Sequence, residues 1–138
     1  DRWVYQKGRY LFPINIASEG VKKLAILDTL LGNHYLDRDS VIFIDEPEAA
    51  LHPKAIAQFM ETIYLLSKSG IQFFISTHSY FVVKGLSLIA TKHKESMPVL
   101  SLENGAATID DLQNGYPDNP IVRESVRLYE QEVELSLS

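Results

Sequence analysis

The chain has 138 residues, of which 46% are hydrophobic and 22% charged, with a net charge of −5 and no cysteine. This balance is that of an ordinary globular domain, and it excludes a disordered or fibrous chain, disulfides and thiolate metal sites. The acidic excess argues against a chain that binds nucleic acid by itself, and the apolar runs are too short to cross a membrane. The chain begins with Asp1 and carries no signal pattern, so we expect a piece of a longer cytoplasmic protein.

The first 16 residues are aromatic and β-prone, and they predict a short hairpin with strands on either side of Lys7-Gly8. Pro13 must then lie at a sheet edge or at the end of its strand. From Ser18 the apolar residues recur at helical spacing, which predicts a helix capped by Ser18 and ended by Gly32.

The middle of the chain alternates between strand and helix patterns. Residues 41–44 form a short apolar run, and a helix follows from Pro53 to Gly70. A second run of the same kind covers 71–75, and a third helix covers 80 to about 90. This order predicts an α/β domain with parallel strands, each of them buried on both faces.

The last part of the chain predicts a hairpin that turns at Asn104-Gly105, followed by an amphipathic helix. The apolar stripe of that helix consists of Val122, Val126, Tyr129 and Val133. We expect a single domain over 1–138. Its parts in order are a β-rich segment (1–16), the region of the candidate motifs (17–90), the hairpin (98–110) and the C-terminal helix (119–135).

Asp45 and Glu46 come directly after the run 41–44, at the carboxyl end of a predicted parallel strand. Open α/β sheets bind their ligands at that end. Two adjacent acids are costly there without a partner such as a metal ion. Asp45 suits Mg²⁺, which prefers oxygen ligands, and Glu46 suits a residue that orients or deprotonates a water. The alternative is that both acids simply begin a solvated loop.

Two further motifs flank this acid pair. His78 follows the second predicted strand within Ser76-Thr77-His78, and it would share the crevice with Asp45 and Glu46. Its alternative is a capping or core histidine. The helix start near Gly20 is a candidate anion site, because backbone N–H groups and the helix dipole favour negative charge there, although ordinary N-caps have the same pattern.

In combination, these motifs resemble the C-terminal half of an ABC-type ATPase domain. They occur in the order Ser18-x-Gly20, Asp45-Glu46-Pro47, Ala50-Leu51-His52-Pro53 and Ser76-Thr77-His78. The closer resemblance is to ATPases grouped with RecF, SMC and overcoming-lysogenization-defect (OLD) proteins, including those assigned to abortive infection. It covers residues 10–90 and implies a partial P-loop NTPase fold, with parallel strands flanked by helices.

The resemblance also implies a composite ATP site between two subunits, with ATP and Mg²⁺ as cofactors. The residues that it assigns to nucleotide binding are Ser18 and Gly20 of the signature motif, Lys22 after it and His52 of the D-loop. The residues that it assigns to the chemistry are Asp45 as the Walker B magnesium ligand, Glu46 as the catalytic base and His78 as the switch histidine.

The sequence departs from the family's pattern in ways that concern this site. Glu19 stands where the common signature has Gly, and His52 stands where the D-loop usually has Asp. No G-x-x-x-x-G-K-[ST] motif occurs in the chain, so the Walker A strand and its phosphate cradle are absent. We therefore expect a C-terminal lobe that needs an N-terminal Walker A lobe, from the same gene or from a partner chain.

Combined with that lobe, we expect the chain to hydrolyse ATP in a head-to-tail homodimer, and to be inactive alone. The alternative is a nucleotide-gated dimerisation module with little or no hydrolysis. A third reading, an unrelated metal-dependent hydrolase built on Asp45, Glu46 and His78, lacks an obvious further ligand. DNA maintenance and antiphage defence both fit, and any contact with nucleic acid is expected from the full assembly.

Overall fold

The computed structural model describes residues 4–7, 10–13, 19–49 and 51–137. The chain divides into two compact units, Asp1–Ser76 and Thr77–Ser138, and each is described by itself. The single domain expected over 1–138 stays a prediction. Within the described ranges, no helix is both long enough and apolar enough to span a bilayer.

The first unit opens with the predicted hairpin. Strands β1 (Val4–Lys7) and β2 (Tyr10–Pro13) pair antiparallel, and Val4 is the partner of Pro13. Pro13 is thus the last residue of its strand, where a missing N–H donor interrupts no further pairing. Gly8, next to which the turn was predicted, lies outside the described residues.

Helix α1 (Glu19–Gly32) follows, as the apolar spacing predicts, and Leu27 is buried on its packed face. A connection leads to strand β3 (Val41–Asp45), and helix α2 (Pro53–Lys68) then joins β3 to strand β4 (Gln72–Ser76). The two strands pair in parallel, as predicted. Helix α2 packs against β4 and buries one stripe, which consists of Ile56, Phe59, Met60, Ile63 and Tyr64.

One face of the parallel pair is open, and the prediction that both strands are buried on both faces is wrong here. Val41, Phe43 and Phe74 expose 50%, 76% and 48% of their surface. The rings of Phe43 and Phe74 stack with their centroids 5.0 Å apart and their planes at 11°. The physical reason is that burial on both faces requires packed elements on both sides of a sheet, and within the described residues of the first unit this face stays uncovered.

Gly70 connects α2 to β4 with a backbone that only glycine adopts easily. Its φ is +108°, and a Cβ at this position would come within 2.8 Å of the Cβ of Arg38. The N–H of Gln72, the first residue of β4, then donates to the carbonyl of Ser40, the residue before β3, at 2.9 Å. Gly70 therefore allows the close approach that sets the start of the parallel pair.

The second unit contains helix α3 (Tyr80–His93), strands β5 (Pro98–Glu103) and β6 (Ala106–Asp111), and helix α4 (Pro120–Leu137). The strands form the predicted antiparallel hairpin, with Asn104 and Gly105 at positive φ in its turn. The core cluster consists of Val83, Ala90 and Leu112, with the partly buried Leu86, Met97, Val99 and Val122 against it.

Helix α4 is present as predicted, but most of its apolar stripe is not covered. Val122 packs against the core cluster, whereas Val126, Tyr129 and Val133 are exposed by 46%, 66% and 36%. The reason is geometric, because only the first turns of this helix pass over the core of the unit. A buried Asn119 precedes the helix, and its side chain accepts the N–H of Val122 and donates to the hydroxyl of Ser101.

Candidate functional site

The candidate site lies at the carboxyl ends of β3 and β4, where Asp45 and Ser76 are direct partners in the parallel ladder. The hydroxyl of Ser76 donates a hydrogen bond to Oδ1 of Asp45, and the Asp45 residue is exposed. The N–H of Glu46 donates to the carbonyl of Ser76 at 2.9 Å, which extends the pairing by one residue. The structure thus brings the predicted acid pair together with a hydroxyl group from the next strand.

Glu46 has an unusual backbone conformation for its position. Its φ is +44°, in the left-handed region that non-glycine residues seldom occupy. The next residue is Pro47, which is fully buried, and a residue before proline normally adopts extended backbone. Such a conformation costs about 1–3 kcal/mol and persists only where its surroundings enforce it, which occurs most often at functional sites.

Lys23 of α1 makes the contact that sequence reasoning missed. Its Nζ lies 2.6 Å from the carbonyl oxygen of Glu46 and 3.4 Å from that of Asp45. The N–H of Ala49 donates to the same Glu46 carbonyl at 3.0 Å. One signal was available in the sequence, since Lys23 lies one helical turn before the buried Leu27 and hence on the packed face. Lysine on such a face directs its ammonium to a polar partner.

His52 has a structural role that the sequence did not assign to it. It is the N-cap of α2, with extended backbone, and its Nδ1 accepts the N–H of Lys54 at 3.2 Å. This hydrogen bond satisfies one of the N–H groups that the first turn of a helix leaves without an intrahelical partner. Ala50, in the same motif, lies outside the described residues. The predicted role of His52 in nucleotide binding stays a prediction.

His78 lies in the short connection between β4 and α3, where the sequence predicts it. The connection contains a local turn, in which the hydroxyl oxygen of Thr77 accepts the N–H of Ser79 at 3.0 Å. His78 is exposed and belongs to the second unit. Its predicted place in one crevice with Asp45 and Glu46 stays a prediction.

The signature residues are described only in part. Ser18 lies outside the described residues, and Gly20 is described by its backbone, which is in the first turn of α1. Lys22 is half-buried in the same helix. Their predicted contacts with a nucleotide held by a partner subunit stay predictions.

The side chains at the strand ends suit Mg²⁺ better than a metal ion that takes all of its ligands from the protein. Where the structure describes side chains, no three His, Asp or Glu gather closely enough to hold an ion among themselves. Asp45 offers one exposed carboxylate, oriented by Ser76. Mg²⁺ is usually held by one or two carboxylates together with substrate phosphates and waters, so this donor set suits it. The unrelated metal-dependent hydrolase gains no support from this arrangement.

The second unit has a concavity of about 460 Å³, and its lining includes Pro98, Ile109 and Tyr116. None of the residues that line it is a sequence-predicted site residue. We therefore locate the candidate chemistry by its side chains, at the ends of β3 and β4, and not by this concavity.

Two parallel strands joined by a helix, with an acid pair at the carboxyl end of the first strand, are typical of an α/β sheet that binds its ligand at that edge. The comparisons with known proteins agree with this class. The chain belongs to the family described as "AAA domain, putative AbiEii toxin, Type IV TA system", which matches residues 2–84. The predicted fold class and the resemblance to ABC-type ATPases of the OLD and SMC group are both confirmed.

Two similar proteins extend this assignment. A stretch of 55 residues, 40% of this chain, is 47% identical to the Old nuclease of Escherichia phage P2, of which it spans 8%. A structure from work on the structural biochemistry of ATP-driven dimerization and DNA-stimulated activation of SMC ATPases matches 90% of this chain. The match covers 66% of that chain, with a TM-score of 0.53 and 16% identity, and it shows a shared fold. The chain is thus an AAA-family domain that is similar over part of its sequence to an OLD nuclease and in its fold to an SMC ATPase.

Proposed function

We propose that the chain is the C-terminal lobe of an ABC-type ATPase and completes a composite ATP site at a head-to-tail dimer interface. The observation that carries the proposal is the arrangement of Asp45, Ser76 and Glu46 at the ends of two parallel strands. One carboxylate is oriented by a hydroxyl group, and the next one leaves the strand end on a left-handed backbone. This is an arrangement for two different tasks on one bound phosphate.

The tasks divide between the two acids. Asp45, whose carboxylate is oriented by Ser76, would hold Mg²⁺. When bound, Mg²⁺ neutralises charge on the transferred phosphoryl group. Glu46 would orient and deprotonate the attacking water. His78 would contact the γ-phosphate, while Ser18, Gly20, Lys22 and His52 would meet the nucleotide or the interface of the partner subunit.

The open face of the parallel pair supports the need for a second lobe. Parallel sheets in α/β proteins are covered on both faces, whereas Phe43 and Phe74 stack on a face that is exposed here. The chain also lacks the Walker A motif that would cradle the phosphates. A Walker A lobe, from the same gene or from a partner chain, would provide both the cover and the cradle.

The proposal is tested with two substitutions in the complete protein. We expect Glu46→Gln to lower ATP turnover by about 10²-fold, because it removes the base and keeps the size and polarity of the side chain. ATP binding should persist, and the ATP-bound dimer should accumulate. Asp45→Asn should instead weaken Mg²⁺-dependent ATP binding. Phosphate release and sizing chromatography with ATP measure both effects. Parental turnover in Glu46→Gln would show that the assignment of the base is wrong.

The composite interface requires its own test. We expect Ser18→Arg to leave ATP binding to each subunit intact and to abolish ATP-driven association, because the added side chain would block the helix start. Equilibrium binding and sizing chromatography separate the two effects. A variant that dimerises with ATP as the parent does would indicate that Ser18 is an N-cap only.

The chain alone provides a further check. We expect it to bind Mg²⁺·ATP very weakly, because it lacks the Walker A lysine and the backbone amides of the phosphate cradle. Isothermal titration calorimetry measures this directly. A submicromolar dissociation constant for the 138-residue chain would contradict the two-lobe proposal.

The second candidate function is a nucleotide-gated dimerisation module with little hydrolysis. It is favoured by Glu19, which adds negative charge to the signature motif, and by His52, which replaces the usual D-loop Asp and serves as a helix cap. The ATPase rate of the complete protein decides between the two. ATP-driven dimerisation without measurable phosphate release would favour the module.

The likeness to a phage Old nuclease and a family description that names a toxin system both suit a role in antiphage defence or DNA maintenance. Nucleic acid would be contacted by the full assembly, since this chain carries a net charge of −5. Stimulation of ATP hydrolysis by added DNA in the complete protein would support this role, and an unchanged rate would count against it.

A further inference from the structure

We infer that Lys23 is a positioning residue for Glu46, which it holds by its backbone and not by its carboxylate. The inference rests on the proposed function of Glu46 as the base, and it assigns a task to a residue outside the predicted site. Lys23 lies on α1, and its Nζ reaches the carbonyl oxygens of both Asp45 and Glu46.

The backbone of Glu46 needs such support. Its φ is +44°, a value that residues other than glycine seldom adopt, and the buried proline after it favours extended backbone instead. The structure holds this peptide through several hydrogen bonds. The N–H of Glu46 donates to Ser76, and its carbonyl accepts the N–H of Ala49 at 3.0 Å and the ammonium of Lys23 at 2.6 Å.

Lys23 differs from the other two partners in where it comes from. Ala49 belongs to the same turn as Glu46, and Ser76 belongs to the neighbouring strand. Lys23 alone of these partners comes from a helix that precedes β3, and it donates from a charged group, which makes the hydrogen bond stronger than one between neutral groups. The contact therefore ties the turn after β3 to α1.

The direction of the Glu46 carboxylate follows from its backbone, because a change in φ rotates the Cα–Cβ bond relative to the strand. Without the ammonium, the turn can relax toward extended backbone, and the carboxylate would then leave the strand end in a different direction. Errors of about 1 Å in the position of a catalytic group can lower a rate by about 10²-fold. We expect the loss to fall on turnover, since Lys23 contacts the backbone of the proposed base and is not among the residues assigned to nucleotide binding.

The test compares Lys23→Met, which keeps the apolar stem, with Lys23→Arg, which restores a cationic donor. In the complete protein we expect Lys23→Met to lower kcat for ATP hydrolysis by about tenfold or more, with KM changed by less than about twofold. Lys23→Arg should recover most of the lost rate. The matched control is Lys68→Met, an exposed lysine at the end of α2, which should hydrolyse ATP as the parent does.

A second readout does not depend on hydrolysis. Amide hydrogen exchange of the peptide 41–49, followed by mass spectrometry, should be about threefold faster or more in Lys23→Met, and parental in Lys23→Arg and Lys68→Met. This measurement reports on the turn itself. It keeps the contact testable even if the complete protein does not hydrolyse ATP.

The outcomes separate the two levels of the inference. Unchanged exchange in Lys23→Met would overturn the positioning role, even if Glu46→Gln abolished turnover. A lower kcat accompanied by a lower melting temperature in Lys23→Met, with neither restored in Lys23→Arg, would overturn the positioning role in favour of a packing role. Faster exchange in a protein whose parent hydrolyses no ATP would support the backbone contact and would refute the proposed function instead.

Discussion

Ser76 and Asp45 are partners in the parallel ladder of β3 and β4, and the hydroxyl of Ser76 donates to one carboxylate oxygen of Asp45. The register therefore determines the orientation of the acid that we assign to Mg²⁺. A shift of one residue would send either side chain to the opposite face of the sheet. The pairing of β3 with β4 thus also places the carboxylate of Asp45 beside the hydroxyl of Ser76.

We expect Ser76→Ala to weaken the use of Mg²⁺ by the complete protein. Loss of a hydrogen bond worth about 1 kcal/mol corresponds to about a fivefold higher Mg²⁺ concentration for half-maximal ATP binding. Ser76→Thr keeps the hydroxyl and is the matched control. The measurement is a Mg²⁺ titration of nucleotide binding. Equal Mg²⁺ requirements in all three proteins would show that Ser76 does not orient the ion's ligand.

We expect Phe43→Ser to reduce aggregation of the chain alone but to destabilise the complete protein. In the chain alone it removes an exposed aromatic ring and should reduce light scattering at high concentration. In the complete protein it should lower the free energy of unfolding by about 3 kcal/mol, because the covered ring is lost. Phe81→Ser, on α3, is the control. An unchanged melting temperature in the complete protein would show that the face stays open there.

Gly70→Ala should destabilise the fold. The added methyl group would meet Arg38 at 2.8 Å, and alanine is strained at a φ of +108°. We expect a loss of more than about 1 kcal/mol in the free energy of unfolding, measured by urea denaturation. Gly85→Ala, inside α3 with nothing within 4 Å of the new group, should instead be neutral or stabilising by up to about 1 kcal/mol. Equal effects of the two substitutions would refute the close approach at Gly70.

Asn119→Ala should loosen the start of α4. The buried amide accepts the N–H of Val122 and donates to Ser101 on β5, so its removal takes away a helix cap and a link to the hairpin. We expect a loss of about 1–2 kcal/mol in thermal or urea denaturation. Asn114→Ala, an exposed residue in the same unit, is the control and should change stability by less than about 0.5 kcal/mol.

The free energy of unfolding of the second unit should depend on pH through the carboxylate of Asp111. The hydroxyl of Ser96 and the backbone N–H groups of Gln113 and Met97 donate to its carboxylate and hold its pKa below the ordinary value of 3.8. The folded pKa is therefore lower than the unfolded one. This contribution to stability is complete above the unfolded pKa and is lost as the pH falls through the folded one.

Asp111→Asn should accordingly lower the melting temperature at pH 7 and narrow the difference between pH 7 and pH values below about 4, the usual range for aspartate. Asp110→Asn, at the preceding residue of β6, is the matched control. Parallel pH profiles for the parent and Asp111→Asn would rule out this carboxylate as the acid-sensitive group.

The elements with local signals could be predicted from the sequence. The apolar run before Asp45, the proline at the start of α2 and Asn104-Gly105 in the hairpin each act over a few residues, and each is where it was expected. The acid pair at a strand end followed from the same patterns. The roles that we give to its members rest on resemblance and stay proposals.

The remainder depends on contacts between distant parts of the chain. Lys23 meets Glu46 only because α1 packs beside the end of β3, and one sequence does not specify that packing. The left-handed backbone of Glu46 could not be predicted, because the proline after it predicts extended structure at this residue. The exposure of Phe43 and Tyr129 could not be predicted either, because apolar patterning indicates which residues are suited to burial and not whether a cover is present.

The stacked pair of Phe43 and Phe74 has a consequence for how the proposed ATPase would be made in a cell. An exposed apolar face favours association with other copies while the correct partner is absent. If the Walker A lobe is on the same polypeptide, its presence at every copy is guaranteed. If the lobe is on a separate chain, the two polypeptides must be synthesised in matched amounts. Any surplus of the present chain would expose its apolar face and self-associate.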